Sequence, residues 1–332
     1  DKVKPNMMFQ EGSKNTDRFI EQMPKEQRKQ YGQFFTSMET ARFMASLFTI
    51  DSEKQLLYAL DAGAGSGILS VALIEKCNAI LHENQVLDLV CYENDPKVLP
   101  LLKENLDIAK RECRFQLKTT IIEDNYILSQ RTAFDRDLFA QESLRQYDLI
   151  IGNPPYKKIG KDALEALAIP EVCYGAPNLY FLFAAMGIKN LKDDAEMVYI
   201  IPRSWTSGAY FEKFRKFLFS HACIEYIHLF ESRNKVFDKE SVLQETMIVK
   251  FKKNTRFPSC ITISTSATNK DFSDLHKLDV PYQVVVSDNH YYVHLVTDEE
   301  EVKSLQSINH FKNTLVDLGL KMKTGLVVDF RS

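Results

Sequence analysis

The stretch that most constrains the fold is a short apolar segment followed at once by a glycine-rich loop and a helical pattern. Residues 55–61 read Gln-Leu-Leu-Tyr-Ala-Leu-Asp, and they run directly into Ala62-Gly63-Ala64-Gly65-Ser66-Gly67. Apolar residues at Ile68, Val71 and Ile74 then recur at helical spacing. A buried strand, a glycine loop and a helix form the opening unit of nucleotide-type folds, in which glycines let backbone N–H groups approach a ligand closely. This stretch therefore predicts an α/β protein with a parallel sheet.

Polar side chains follow the ends of four successive predicted strands. They are Asp61, Glu93, Asp124 and Asn153, after apolar stretches at residues 55–61, 86–92, 115–122 and 149–151. The carboxyl ends of parallel strands meet at one edge of the sheet, where open α/β folds bind their ligands. Glu93 follows the glycine loop at about the spacing of an acid that binds ribose hydroxyls, although a solvated turn acid is the plain alternative. Three further strands, at residues 197–201, 223–229 and 243–251, bring the predicted sheet to seven.

The fourth of these strands stops in the corner Asn153-Pro154-Pro155-Tyr156. Two prolines remove two backbone donors and favour extended backbone, so a continuing strand is excluded and a stiff turn is predicted. The corner offers two acceptors, the side-chain oxygen of Asn153 and the carbonyl of Pro154, next to an aromatic face at Tyr156. Two acceptors beside a flat ring suit a conjugated NH2 group, such as an exocyclic base amine or a carboxamide. A rigid turn without chemistry is the alternative for the tetrapeptide alone.

Composition is that of a globular protein without a membrane span. The 332 residues are 45% hydrophobic and 26% charged, and no apolar run reaches the roughly 18 residues that a spanning helix needs. The six cysteines form no C-x-x-C pair, which favours reduced thiols in the cytoplasm over a zinc site or a disulfide framework. We expect no metal. The net charge of -3 gives no overall attraction to nucleic acid, so such an argument needs local patches.

With these motifs assembled, the chain resembles the catalytic part of an S-adenosylmethionine-dependent DNA adenine-N6 methyltransferase of type II restriction-modification systems. The Asp61–Gly67 loop lies before the Asn153–Tyr156 corner, and this order resembles the gamma class. The resemblance covers residues 31–253 well and the remainder loosely. It implies a doubly wound, mostly parallel seven-stranded sheet, the Rossmann-like methyltransferase fold. It also implies S-adenosylmethionine as cofactor and double-stranded DNA as partner.

The resemblance assigns cofactor contacts residue by residue. Residues 31–37 resemble the motif that touches the methionine end of the cofactor, with Thr36 as the contact. Asp61, Gly63 and Gly65 would hold the same end, and Glu93 the ribose. The cofactor's adenine would be bound by Asp124 and Phe183, with the choice between Glu123 and Asp124 left open.

The resemblance also assigns the target site. Asn153 and Pro154, stiffened by Pro155, would bind the N6 amine of an adenine rotated out of the duplex, and Tyr156 would stack on that base. Phe237 would close the other face, although Asp238 replaces the proline of the family's segment. Methyl transfer would be direct, without a covalent enzyme intermediate. Three lysines in the following loop, Lys157, Lys158 and Lys161, are candidate phosphate contacts, with a solvated loop as the alternative.

Changes in residue composition along the sequence divide the chain into three parts. Residues 1–30 are a polar lead-in, residues 31–253 the catalytic domain, and residues 254–332 a connecting segment with the start of an incomplete target-recognition domain. The chain begins without methionine, which suggests a fragment. Residues 315–332 resemble only the opening strands of the recognition domain, so we expect this fragment to bind S-adenosylmethionine but to bind DNA weakly. A cognate or fused restriction nuclease is an expected partner.

Three other functions remain open on the sequence. An RNA adenine methyltransferase shares the same motifs. A protein-glutamine amide methyltransferase fits less well, because its helical substrate domain precedes the cofactor loop and only about 60 residues do so here. A methyltransferase-like binding module without catalysis is the rival of another class, and the intact corner and loop argue against it.

Overall fold

A single nine-stranded sheet organises the protein. The computed structural model describes residues 7–22, 36–135, 144–230 and 245–309. Within them the strands stand in the order β3-β2-β1-β4-β5-β7-β6-β8-β9. The strands are β1 (Leu56–Ala62), β2 (Val86–Tyr92), β3 (Gln116–Ile122), β4 (Tyr147–Gly152), β5 (Leu191–Pro202), β6 (Cys223–Phe230), β7 (Thr246–Lys252), β8 (Cys260–Ser266) and β9 (His276–Pro281).

Helices cover both faces of this sheet. They are α1 (Met7–Glu21), α2 (Met38–Ser46), α3 (Ile68–Asn78), α4 (Leu99–Glu112), α5 (Tyr126–Ser129), α6 (Leu164–Ala168), α7 (Leu179–Asn190), α8 (Glu212–His221), α9 (Tyr282–Val285) and α10 (Glu299–Asn309). Short 3-10 turns lie at Arg131–Phe134, Pro170–Val172, Arg203–Thr206 and Ala209–Phe211. None of the helices in the described ranges is both long enough and apolar enough to cross a membrane.

The core consists of two apolar layers, one on each face of the sheet. One layer joins α2 and α3 to side chains of β1 such as Leu57 and Ala59. The other joins α7 and α8 to the alternate side chains Leu60 and Ala62 of the same strand. A central strand that is apolar on both faces is what a parallel sheet between two helical layers requires. The predicted α/β, doubly wound class is therefore confirmed.

The predicted number of strands is wrong. The described sheet has nine strands, because β8 pairs in parallel with β6 and β9 pairs antiparallel with β8. Strand β7 is antiparallel to both β5 and β6, so the sheet is mixed although most neighbouring pairs are parallel. The predicted boundary at residue 253 falls inside this sheet, between β7 and β8.

The sequence also favours a short strand at residues 282–286, an amphipathic helical connection over residues 126–146 and a capping box of Thr297 with Glu300, and the structure differs at each. A strand was expected at residues 282–286, but the strand is β9 and Tyr282–Val285 is helical, because a short apolar run does not distinguish the two conformations. Residues 126–146 were expected to form one helix, but α5 is four residues long and a 3-10 turn follows it. The cap of α10 uses Glu301, whose carboxylate accepts from the Thr297 N–H at 2.6 Å, instead of Glu300.

Candidate active site

The carboxyl ends of β1 to β4 open into one pocket of about 430 Å³. Because these four strands are parallel, the residues that follow them meet at the same edge of the sheet. Seven residues predicted for the site line this pocket: Gly63, Gly65, Glu93, Asp124, Asn153, Pro155 and Phe183. The cofactor motifs and the target corner therefore share one cavity.

The glycine loop turns sharply at the end of β1. Gly63 and Gly65 have φ of 85° and 55°, in the left-handed region that L side chains rarely adopt. The N–H groups of Gly63 and Ala64 both donate to the carbonyl of Tyr92, at 2.9 and 2.8 Å, which fastens the loop to the end of β2. A side chain at Gly63 would lie 3.7 Å from the ring of Phe183. Glycine at this position keeps the floor of the pocket open.

Glu93 holds the loop from the neighbouring strand. One carboxylate oxygen accepts from the Gly65 N–H and the other from the Asp95 N–H, both at 2.8 Å. The sequence suggested a ribose ligand or a solvated turn acid. The structure shows a third role for Glu93, because its carboxylate holds the backbone of the glycine loop in place.

Asp61 lies beneath the loop and does not line the pocket. Its carboxyl is fully buried, and one oxygen accepts from the Ser70 hydroxyl at 2.6 Å. The other oxygen has no hydrogen-bond partner among the described residues. Burial raises the pKa of Asp61 to about 7, and the Ser70 hydrogen bond opposes that shift only in part.

The end of β3 separates the two candidate acids. Asp124 lines the pocket, whereas Glu123 points to a different surface hollow beside α4. The placement favours Asp124 as the acid that faces a ligand. Its neighbour Asn125 caps α5 by accepting from the Leu128 N–H at 3.1 Å.

Several polar residues of the pocket were not assigned to the site from the sequence, among them Asn125 and Glu165. Glu165, at the start of α6, accepts from the Asn125 side-chain amide at 2.8 Å, and both line the cavity. This bond ties the chain that follows the Asn153 corner to the end of β3. Neither residue belongs to a recognisable motif, so only their proximity in the fold reveals them.

The Asn153 corner meets the chain just before α2. The Asn153 side-chain amide donates to the hydroxyl of Thr36 at 3.2 Å. Pro154 is buried, and Pro155 lines the pocket. Thr36 and Asn153 lie far apart in the sequence, so this contact is a product of the fold.

Tyr156 is anchored beside the pocket without lining it. Its hydroxyl donates to the Ile200 carbonyl at 3.0 Å, and its ring packs edge-on against Tyr180 at a centroid distance of 6.3 Å. Burial raises the pKa of Tyr156 above its usual range, so the hydroxyl stays protonated as a donor. These contacts fix the plane of the ring. Phe237 and residues 31–35 lie outside the described residues.

The chemistry of the pocket fits S-adenosylmethionine. Carboxylates of Glu93, Asp124 and Glu165 are acceptors of the type that ribose hydroxyls and an adenine amino group require. Phe183 offers an aromatic wall, set against Tyr126 at 5.4 Å. The glycine loop lets a ligand approach the backbone closely. Over the same described ranges, His, Cys, Asp and Glu side chains form no group of three or more that could hold a metal ion.

Comparisons with known proteins agree with this geometry. A family model described as Eco57I restriction-modification methylase matches residues 50–237, more than half of the chain. The Type II methyltransferase M.PstI of Providencia stuartii is 33% identical over 311 residues, which cover 92% of this chain and 59% of that protein. The chain spans about three fifths of the length of M.PstI and of the Type II methyltransferase M.BsuBI of Bacillus subtilis.

Solved structures share the fold at low identity. A protein from Listeria monocytogenes described as a class I S-adenosylmethionine-dependent methyltransferase superposes with a TM-score of 0.54, at 16% identity over 76% of each chain. The ATP-dependent Type ISP restriction-modification enzyme LlaBIII, solved bound to DNA, gives 0.55 at 14% identity over 88% of this chain and 25% of its own. The family model and M.PstI confirm the predicted methyltransferase family, and the solved structures confirm the fold. The chain belongs to the Eco57I restriction-modification methylase family.

Proposed function

We propose that this chain is the catalytic part of an enzyme that methylates the N6 amino group of adenine in DNA, within a restriction-modification system. The observation that carries the proposal is that Asn153 and Pro155 line the same pocket as Gly63, Gly65 and Glu93. An amine held at the corner would therefore lie next to a methyl donor held on the glycine loop.

The corner would hold and activate the amine. S-adenosylmethionine, when bound, supplies an electrophilic methyl group on a positively charged sulfur. The side-chain carbonyl oxygen of Asn153 would accept from the target N–H, while its amide nitrogen donates to Thr36. The Pro154 carbonyl is a second acceptor. Two such bonds draw a flat, weakly nucleophilic nitrogen toward a tetrahedral geometry with a usable lone pair.

The target base would be rotated out of the duplex and stacked on Tyr156. The hydroxyl bond to Ile200 and the edge contact with Tyr180 hold that ring in place before any base arrives. A fixed ring lowers the entropic cost of orienting the base. Phe237 would close the opposite face of the base.

DNA is the proposed macromolecular partner. The restriction-modification relatives support it, and the solved LlaBIII structure is bound to DNA. Lys157, Lys158 and Lys161 are exposed on the loop that leaves the corner, where they are placed to contact phosphates. The net charge of -3 gives the rest of the chain no general affinity for DNA, so we expect weak, salt-sensitive binding. A cognate or fused nuclease is part of the same proposal.

The test is methyl transfer from radiolabelled S-adenosylmethionine to duplex DNA, RNA and a protein extract, followed by identification of the modified group. We expect N6-methyladenine in DNA. Asn153→Ala should lower the rate by about 100-fold or more, the range for loss of a positioned hydrogen-bonding group, while cofactor binding is retained. Asn254→Ala, a change at a half-buried residue just beyond the end of β7, at the edge of the sheet opposite the pocket, is the matched control. Label in RNA or in a glutamine amide would refute the adenine-in-DNA proposal, and no label in any substrate would favour a binding module.

A further inference from the structure

The loop between β8 and β9, residues 267–275, reaches the first turn of α2. The backbone carbonyl of Asn269 accepts from the Thr40 hydroxyl at 3.0 Å and lies 3.2 Å from the Ser37 hydroxyl. Ser37 is also the N-cap of α2, since its side chain accepts from the Thr40 N–H at 3.2 Å. A carbonyl from 229 residues further along the chain therefore fixes the N-terminus of this helix.

The loop is itself held from below by a buried histidine. The two ring nitrogens of His228 lie 2.7 Å from the Ser264 hydroxyl and 3.0 Å from the Ser266 hydroxyl. Ser266 donates its proton to the carbonyl of Thr268 at 2.8 Å, so it must accept from Nε2–H of His228. Nδ1 then accepts from Ser264. Both hydroxyls and both ring nitrogens are satisfied in this one arrangement.

Aromatic packing fastens the same loop to α2. Phe272 stacks on Phe43 with a centroid distance of 4.5 Å and an interplanar angle of 12°. His228 lies against both rings, at 4.7 Å from Phe43 and 5.4 Å from Phe272. Offset stacking of this kind adds to the free energy of burial. The loop thus has a polar contact at Asn269 and an apolar contact at Phe272, three residues apart.

The fastened helix end leads directly into the site. Thr36 precedes the N-cap Ser37, and its hydroxyl accepts from the Asn153 amide at 3.2 Å. A shift of the first turn of α2 would therefore move Thr36 relative to Asn153. Strand β8 runs parallel to β6, so its carboxyl end and this loop lie at the same edge as the pocket.

We propose that the β8–β9 loop is a positioning element that sets Thr36 against Asn153 and so controls how well the pocket accepts its cofactor. The inference rests on the proposed function in one respect, the assignment of Thr36 as a cofactor contact. The loop touches neither the cofactor nor the target, and it acts through α2.

The test is a double-mutant cycle on cofactor affinity, measured by calorimetry with S-adenosylmethionine and no nucleic acid. Phe272→Ala should weaken binding by about 3- to 30-fold, the range found when residues remote from a ligand modulate its site. The same change in a Thr36→Val background should weaken binding by less than about twofold, because the Thr36–Asn153 hydrogen bond through which the loop acts is already absent. Thr40→Val, which removes the donor to Asn269 with little change of shape, should behave as Phe272→Ala does.

Phe257→Ala is the matched control. Phe257 stacks on Tyr282 at 4.8 Å and 12°, nearly the geometry of the Phe272 pair, but at the opposite edge of the sheet. It should leave cofactor affinity within twofold of the parent. Equal effects of Phe257→Ala and Phe272→Ala, or an undiminished Phe272→Ala effect beside Thr36→Val, would overturn the proposal.

These outcomes separate the inference from the proposed function. If the double-mutant cycle shows coupling between Phe272 and Thr36 but no methyl label is transferred to DNA, only the DNA proposal is refuted. If the chain binds the cofactor tightly but the effects of Phe272→Ala and Thr36→Val on affinity simply add, only the positioning role is refuted. No cofactor binding by the parent chain would refute both. Circular dichroism of each variant confirms that the affinities compare folded proteins.

Discussion

Replacing Asp61 with asparagine should remove a contribution to the free energy of unfolding that falls as the pH rises from 5 to 8, so the variant should gain on the parent over this range. The Asp61 carboxyl is buried beneath the glycine loop, where burial raises its pKa from 3.8 to about 7. In the unfolded chain the same group ionises with its ordinary pKa. The folded state therefore binds more protons than the unfolded state between those two values, and stability is lost as the pH rises through about 7.

The size of this loss follows from the two pKa values. From pH 5 to pH 8 the difference in protonation lowers the free energy of unfolding by about 2 to 3 kcal/mol, at roughly 1.4 kcal/mol per pKa unit. Asparagine can keep the acceptor for the Ser70 hydroxyl, but its amide nitrogen would occupy the place of the oxygen that has no partner among the described residues. That burial costs roughly 1 to 3 kcal/mol at every pH. The variant should therefore gain about 2 to 3 kcal/mol on the parent between pH 5 and pH 8.

The assay is urea unfolding at pH 5, 6, 7 and 8, followed by the fluorescence of Trp205. Trp205 is the only tryptophan and is fully buried, so its emission should report loss of the core. Other titrating groups are common to parent and variant and cancel in the difference.

Asp148→Asn is the control of opposite sign. Burial alone would raise the pKa of Asp148. Hydrogen bonds from Lys192, the Tyr58 N–H and Lys54 lower it by a larger amount, so the pKa lies below its ordinary value. Asp148 is thus ionised in both states from pH 5 to pH 8, so its replacement should destabilise by the same amount throughout. A slope in Asp61→Asn equal to that of the parent would refute the buried, protonated carboxyl.

Three further predictions concern acid stability and the cofactor pocket. Burial, with the charge of Arg203, lowers the pKa of His228 to about 3, so the unfolded chain binds the extra proton below pH 6.5. Between pH 7 and pH 5 the His228→Gln variant should therefore gain about 2 kcal/mol on the parent in urea unfolding, and a difference between the two proteins that does not change with pH would refute this. Asp124→Ala should weaken S-adenosylmethionine binding in calorimetry by about tenfold, because one charge-assisted hydrogen bond is lost. Glu123→Ala should leave the affinity unchanged, because Glu123 lines a different hollow. Equal effects of the two variants would contradict the placement of Asp124 in the pocket. Phe183→Leu should weaken the same binding by about 2- to 10-fold through lost ring contact while Phe183→Tyr retains it, and full affinity in the leucine variant would exclude stacking.

Local sequence motifs were sufficient to predict which backbone segments form the site. The glycine loop and the Asn153 corner are each contiguous stretches whose backbone is restricted by glycine or proline. Their meeting at one edge follows from parallel strands alone. The sequence before α2 offers Ser37 and Thr36 as candidate caps, and the structure shows that Ser37 is the one used.

Contacts between distant segments were not readable. Glu165 and Asn125 bond across the pocket, yet neither stands in a pattern that marks it. The place of the Tyr156 ring depends on the Ile200 carbonyl, which lies 44 residues away in the chain. The extension by β8 and β9 depends on an open edge of β6, and no periodicity within residues 254–286 reports that edge.

The strand order has a consequence for how the chain acquires its structure during synthesis. Strands β1, β2 and β3 are consecutive and can pair as soon as they leave the ribosome, but the other side of β1 waits for β4. Asp148 in β4, whose carboxylate accepts from the Tyr58 N–H, lies 90 residues later, roughly 5 to 20 seconds of translation at ordinary speeds. Throughout that interval a central, apolar strand presents an unpaired edge, the condition under which nascent chains aggregate. Slowing translation between these strands should therefore lower the yield of native protein more than an equal delay after β5.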